Sequence, residues 1–392
     1  MPRKAQDGHG PAQAALRDPL KGRYSPAMPA WLQRVVIAVL LVMAPATAPA
    51  QQQIDQHALA LAEALATYRD GQLRAALSRV QSIPETSLNE TVNRFCTRED
   101  VRPALRIVRM RIAAALLTET AFVRIQSSSV AWQDPYLSSA HALMRKLAEM
   151  ADDGRDGAGD PERRFVRDWY LLVASFRHGR AEVGWSRAYL SEARERFAKD
   201  PQVLLVTGSD HEMVSDVTAG YIRRFSANGR SFNESKINPE KELEEAEKDF
   251  KQSAALAPDL AEARLRLGRV LMRRGDLDGA TRELRGALAH AVQDQIRYLA
   301  WLFLGLVDVD RGDLESAEKS YLEALRLFPR AQTVKVAMSE LAYLKGRDGD
   351  AAAQIVALLQ SFVREDPWWG YLLGDSWHFE ARLAGMRAEA LR

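Results

Sequence analysis

Arg274-Gly-Asp-Leu-Asp-Gly-Ala280 and Arg311-Gly-Asp-Leu-Glu-Ser-Ala317 are nearly the same seven residues written twice. Gly275 and Gly312 stand 37 residues apart, and so do Ala280 and Ala317. A fixed period of this size, punctuated by a helix-ending glycine and a helix-starting aspartate, marks a stack of helix pairs. Each residue type has a physical task. Gly275 and Gly312 suit a left-handed helix end, where a β-carbon would be strained. Asp276 and Asp313 can then accept the orphan N–H groups of the next helix. Gly268 and Gly305 allow the two helices of a pair to approach closely, and Ala280, Ala317 and Ala324 are small where axes cross. Leu284 and Tyr321 are expected to fill the space against the following pair.

Outward from this phrase the chain reads as helix throughout. From Ile54 apolar residues recur at three- and four-residue steps, and alternating β-branched runs are rare. Breaks fall where Gly, Pro or Asp cluster. The pattern predicts helices over 55–69, 73–82, 101–126, 135–150, 162–178, 181–199 and 201–224, with polar, irregular chain at 84–100 and a surface loop at 151–161. Residues 226–239 interrupt a helix pair as an insertion. The glycine-to-small-residue step of five recurs at Gly71/Ala76, Gly179/Gly184 and Gly346/Ala351, so about seven helix pairs are expected.

The unit Tyr298–Ala331 carries Trp301, Leu304, Gly305, Gly312, Ala317, Tyr321, Ala324 and Pro329, and in this it resembles the tetratricopeptide repeat family. The preceding unit has Leu267, Gly268, Leu271, Gly275, Ala280, Leu284 and Ala287, but Arg264 stands where the signature tryptophan would, and Val292 where the closing proline would. Ala246, Phe250 and Pro258 fit the second half of a further unit. The resemblance is strong over 241–330, fair to 366 and weak before 240. It implies an all-α, right-handed solenoid of antiparallel helix pairs that binds another chain in a concave groove. Groove positions carried over from the family are Glu262, Leu265, Arg269, Met272 and Arg273, then Leu299, Leu302, Leu306, Val309 and Asp310, then Thr333, Val336, Glu340, Tyr343 and Leu344. This lining, apolar with arginines at one end, departs from the Lys/Asn clamp of chaperone-binding members and suits an amphipathic helix or extended segment. The alternative is that the leucines pack against neighbouring repeats and the groove is incidental.

Asp366-Pro-Trp-Trp-Gly-Tyr-Leu-Leu-Gly-Asp-Ser-Trp-His-Phe379 packs five aromatics into fourteen residues ahead of a last helix at 376–391. A solenoid must cover the apolar face of its final repeat. Trp368, Trp369, Tyr371, Trp377 and Phe379 are therefore expected to form a cap at 367–392, with an aromatic recognition patch as the alternative.

The N-terminus reads as an address. Arg34 precedes the apolar run Val35–Met43, followed by Ala44-Pro-Ala-Thr-Ala-Pro-Ala50 and then Gln51. A basic flank, a short apolar core and a small-residue exit describe a secretory signal peptide over 28–50. The core falls short of the roughly twenty residues that span a bilayer. Residues 1–27 are either a disordered extension or lie ahead of a true start at Met28. Cleavage and export to the periplasm or outside a bacterial cell is the main reading, and an uncleaved membrane anchor is the alternative. The mature chain then comprises degenerate helical repeats at 51–240, the repeat array at 241–366 and the aromatic end.

Composition limits the chemistry. Six Lys and Arg against two Asp fall within residues 1–50, so an overall charge of +2 leaves −2 for the remainder, with no net basic field for nucleic acid. The single Cys96 forms no intrachain disulfide and no paired zinc ligand set, and is read as a half-buried small residue. Seven histidines show no metal-binding spacing, and His211-Glu212 after Asp210 point in different directions on a helix. Gly154 to Gly159 follows no strand, which fails the dinucleotide context. Lys241–Asp249 reads as an exposed, ion-paired helix face. No cofactor and no metal are expected. The reading is a non-enzymatic protein-interaction scaffold of the bacterial cell envelope, with a protein or peptide partner. A periplasmic hydrolase or sugar-processing enzyme on a helical array is the alternative, and clustered groove carboxylates would favour it.

Overall fold

The structure is a computed structural model that describes residues 49–98, 101–127, 134–227, 237–359 and 365–392. The expected leader and the residues ahead of it lie almost wholly outside the described residues, as does most of the insertion at 226–239. The chain divides into Met1–Asp55 and Gln56–Arg392. The second unit is an all-α solenoid, with no strand among the described residues.

Three helices lead: α1 Pro49–Arg69, α2 Leu73–Gln81 and α3 Glu85–Cys96. Six pairs follow: α4 Pro103–Ser127 with α5 Pro135–Asp152, α6 Asp160–Gly179 with α7 Val183–Arg196, α8 Pro201–Ala227 with α9 Pro239–Leu256, α10 Ala261–Arg273 with α11 Leu277–His290, α12 Asp294–Asp310 with α13 Leu314–Leu327, and α14 Gln332–Leu344 with α15 Asp348–Leu359. The first helices of successive pairs, α6, α8, α10, α12 and α14, touch in turn and form an inner row. The chain ends with α16 Pro367–Leu372, a 3-10 turn at Ser376–His378 and α17 Phe379–Ala390.

The repeated phrase does what its residues allow. Gly275 and Gly312 adopt φ of +83° and +78°. Asp276 and Asp313 accept from the N–H groups of Gly279 and Ser316 at 2.9 and 3.0 Å. A β-carbon on Gly268 would lie 2.6 Å from Leu284, and one on Gly305 would lie 2.2 Å from Tyr321. Leu284 and Tyr321 therefore fill the crossing of their own pair rather than the space before the next, because only the missing β-carbon leaves room for them.

Three local readings are corrected. Residues 84–100 are not irregular. They contain α3, whose Leu88, Thr91, Val92 and Cys96 are buried at helical spacing. The step of five in the α6–α7 pair is Ala181/Ser186, not Gly179/Gly184. Ala181 takes the left-handed turn at φ +56°, two residues before α7, as Gly71 and Gly275 do before their helices. Ser186 is fully buried in the small-residue position. Lys241–Asp249 is only partly solvent-facing. Lys248 pairs with Glu245, but Asp249 is buried and bound by Arg194 at 2.5 Å.

Two hydrophobic clusters hold the unit together. One runs from Leu61 to Val206 and takes in Leu383, Met386 and Ala390 of α17. The other runs from Leu205 to Leu341 and takes in Tyr371 of α16. Residues 366–392 thus belong to both.

An alanine in the left-handed region costs about 1–2 kcal/mol, so Ala181→Gly is expected to raise stability by about 1 kcal/mol in chemical denaturation. Gly305→Ala, which drives a methyl into Tyr321, is expected to lower it by about 1–3 kcal/mol.

Candidate functional site

The inner row is where the resemblance places a groove, and it is occupied. The expected cap does not lie over the last repeat. Residues 366–392 turn back along the inner helices, with α16 against α12, the 3-10 turn against α6, and α17 against α6 and α4. The reason is chemical. The inner helices present charged and hydrogen-bonding groups that match this segment one by one.

The segment begins at Asp366. Its buried carboxylate accepts from the backbone of Thr333 at 2.6 Å, the Trp368 N–H at 3.0 Å and the Tyr298 hydroxyl at 3.2 Å. It therefore starts α14 and α16 together. Trp368 and Tyr371 pack edge-on against Phe303 at 6.0 and 5.5 Å. The Tyr371 hydroxyl donates to Glu212 at 2.7 Å. Burial first, and then the Glu212 charge, push its pKa well above the ordinary value, so the phenol stays a donor.

Arg266 lies beneath. Its guanidinium is buried and reaches Glu262 and Glu212, both at 2.9 Å, and the Gly374 carbonyl at 2.7 Å, with the Tyr371 ring 4.2 Å above it. Arg269 bonds Glu212 at 2.6 Å and Asp216 at 2.9 Å, and the Trp368 ring lies 5.1 Å from it. Arg273 continues to Asp216 at 2.9 Å.

Gly374 takes φ +63°, where a β-carbon would stand 2.9 Å from the His178 ring. This close approach lets the Asp375 N–H donate to His178 Nδ1 at 3.1 Å. The ring proton then sits on Nε2, beside Asp210 at 2.9 Å and the Ser186 hydroxyl at 2.7 Å. Asp375 bonds Ser175 and is clamped by Arg382 at 2.7 and 3.0 Å. Phe379 packs on Phe122 and Phe176, with ring centroids 5.6 and 5.7 Å away. Arg387 grips Glu119 through two nitrogens at 2.8 and 2.5 Å, and the Tyr68 hydroxyl donates to the same carboxylate.

The expected groove positions separate into two sets. Leu265, Leu299 and Leu302 are buried in the core, Met272, Leu306 and Val309 pack partly against it, and Glu262, Arg269 and Arg273 are held in ion pairs. On α14, Tyr343 is 66% exposed and Val336 and Leu344 each 49%. Val336, Glu340, Tyr343 and Leu344 form one solvent-facing stripe. Of the five aromatics, Trp369 is 52% exposed, while Trp368, Tyr371, Trp377 and Phe379 turn inward.

Sequence reading missed Glu119, His178 and Arg266, and it set Asp210 and Glu212 aside as metal ligands without placing them in the buried network that they occupy. A signal existed for Glu119, an ionisable residue set inside the apolar run Ile112–Val123 of α4. Ser186, His178 and Asp210 are the residue types of a nucleophilic triad but lack its geometry. Serine and aspartate address the same ring nitrogen, and all three are buried. Asp210, His211 and Glu212 diverge, to His178, to Glu242 at 2.7 Å and to Arg266 respectively. Among the described residues no cluster of His, Cys, Asp and Glu is arranged for a metal ion. Cys96 is fully buried rather than half-buried, and burial pushes its thiol up to about 12.

Residues 240–302 match the tetratricopeptide repeat family. This stretch carries tetratricopeptide repeats. The match spans α9, α10, α11 and the first part of α12, and α10 presents Glu262, Arg266 and Arg269 to the segment. No curated protein matches the chain. Solved structures with a likeness to these repeats include pilF of Pseudomonas aeruginosa, at 17% identity over 57% of this chain and 90% of that one, with a TM-score of 0.40. PilW, described as a widely conserved type IV pilus biogenesis factor, is 18% identical over 56% of this chain and 93% of that one, also at 0.40. MamA of Desulfovibrio magneticus is 19% identical over 50% and 93%, at 0.36.

His378 carries a pH dependence. It pairs with Glu262 at 2.7 Å, with Asp375 and Arg382 nearby. Burial alone would lower the His378 pKa, but Glu262 outweighs it and the value rises above 6.5. Burial alone would raise Glu262, but His378 and Arg266 hold it at about 2. The histidine's contribution is complete below pH 6.5 and is lost as pH rises through its raised value. That of Glu262 is complete above pH 4.5 and is lost as pH falls through about 2. The melting-temperature gap between wild type and His378→Gln is therefore expected to be widest between pH 4.5 and 6.5 and to narrow in alkali.

Proposed function

We propose that this chain is a non-enzymatic protein-interaction scaffold of the bacterial cell envelope, exported by its N-terminal segment, and that its partner is a protein segment seated on the inner face of the repeats. One observation carries this reading: the inner face already holds a peptide segment, residues 366–392, by side-chain recognition. The part left open for a partner is the stripe Val336, Glu340, Tyr343 and Leu344 on α14. Exposed aromatic and branched side chains grouped this way are the usual anchors of a chain–chain interface. Export accords with Arg34, the Val35–Met43 run and the Ala48-Pro49-Ala50 exit. No helix among the described residues is long and apolar enough to cross a membrane.

Affinity capture from the envelope fraction, with the full chain as bait, tests the reading. Arg269→Glu or Leu302→Glu would unfold the array, because both sites are buried. Val336→Glu with Tyr343→Glu changes only exposed side chains. This double variant is expected to melt like wild type and to lose at least about 2 kcal/mol of partner affinity. Undiminished capture by it overturns the placement, and enzymatic turnover by the purified chain overturns the scaffold reading.

A further inference from the structure

The contact between residues 366–392 and the inner row joins apolar packing to residue-by-residue polar recognition. Beneath Tyr371, Gly374 and Asp375 the array presents Glu212, Arg266, Arg269 and His178. Beneath Arg387 it presents Glu119. Water can take up the bonds of all these groups once the segment departs. Apolar anchoring comes from Trp368, Tyr371, Trp377 and Phe379 and from the α17 residues Leu383, Met386 and Ala390. The segment also does not fill its channel. A cleft of about 730 Å³ runs along α17, between Arg382 and Met386 on one side and Asp259, Leu260, Val292 and Gln293 on the other. A second, of about 450 Å³, lies by Trp377 and Asp366.

We infer that residues 366–392 are an exchangeable ligand held in cis, and that the inner face from α4 to α12 is a binding site for a trans segment of the same chemistry. That chemistry is explicit on the array side. A phenol is required over Glu212 between two guanidinium groups. A left-handed glycine followed by aspartate is required against His178 and Ser175. An aromatic ring is required on Phe122 and Phe176, followed by a helix that brings a cation to Glu119. The ligand is therefore an aromatic, glycine-turned segment leading into an arginine-bearing helix. The cis copy holds the site at high effective concentration, so a trans segment competes only when the cis contact is weakened or when it gains contacts elsewhere, as on the α14 stripe. This deepens the scaffold reading and rests on it for biological use, but its test needs no partner.

The probe is a fluorescent synthetic peptide of residues 366–392, added to the full chain and followed by anisotropy. Gly374→Val in the full chain drives a side chain into His178 and loosens the cis segment without altering the repeats. The peptide is expected to bind this variant about tenfold more tightly than wild type, and a peptide carrying Gly374→Val is expected to bind neither. Hydrogen exchange of the wild-type chain supplies a measurement without substitution. The α17 amides are expected to exchange about a hundredfold faster than those of α12, through an opening that leaves the repeats folded. Failure of the peptide to bind the Gly374→Val chain overturns the inference, as does binding indifferent to the peptide's own glycine. So does α17 exchange that occurs only with unfolding of α12. Any of these results leaves the capture result with Val336→Glu and Tyr343→Glu free to stand or fall separately.

Discussion

Arg266 is the point on which this molecule closes. Its guanidinium joins α8 through Glu212, its own helix through Glu262 and the returning chain through the Gly374 carbonyl, all out of contact with water. A buried ion network of this kind adds little net stability over an apolar core of the same volume. Breaking one member is another matter, at about 3–5 kcal/mol, because a charge is left stranded. The network therefore selects geometry. It admits the chain end only where a carbonyl, a phenol and an aromatic face arrive together.

The repeats were legible because their determinants are local. Gly275, Asp276 and Ala280 act within one turn, and a close crossing needs a missing β-carbon wherever it occurs. Position Ala181 shows the limit of that logic. The backbone turn there is conserved in shape while the residue that signals it is absent, so a search for glycine settled two residues early. The α3 helix was obscured for a similar reason. Polar Thr86, Ser87 and Asn89 dominate its outer face, although Leu88, Val92 and Cys96 keep helical spacing beneath. The path of the chain end was not legible at all. Tyr371 meets Glu212 across 159 residues, and Gly374 meets Arg266 across 108. No pattern in either segment alone encodes that meeting. The aromatic density of 366–379 announced burial but not its address.

The filled inner face changes the meaning of the groove residues. Leu265 and Leu302 hold the repeats together, Arg269 and Arg273 organise carboxylates, and the α14 stripe and Asp310 are open to solvent. An inner row lined with ionisable groups is suited to reading another chain. In this molecule the chain it reads is the protein's own.

One consequence follows from the course of residues 366–392. A stack of helix pairs flexes like a spring, since each pair bears only on its neighbours. The returning segment lies across that spring as a chord, fastened at Asp366, Arg266, His178 and Glu119. Curvature of the coil and attachment of the chord are thus one mechanical variable: stretching the coil strains every fastening at once, and a coil without its chord would be the softer body.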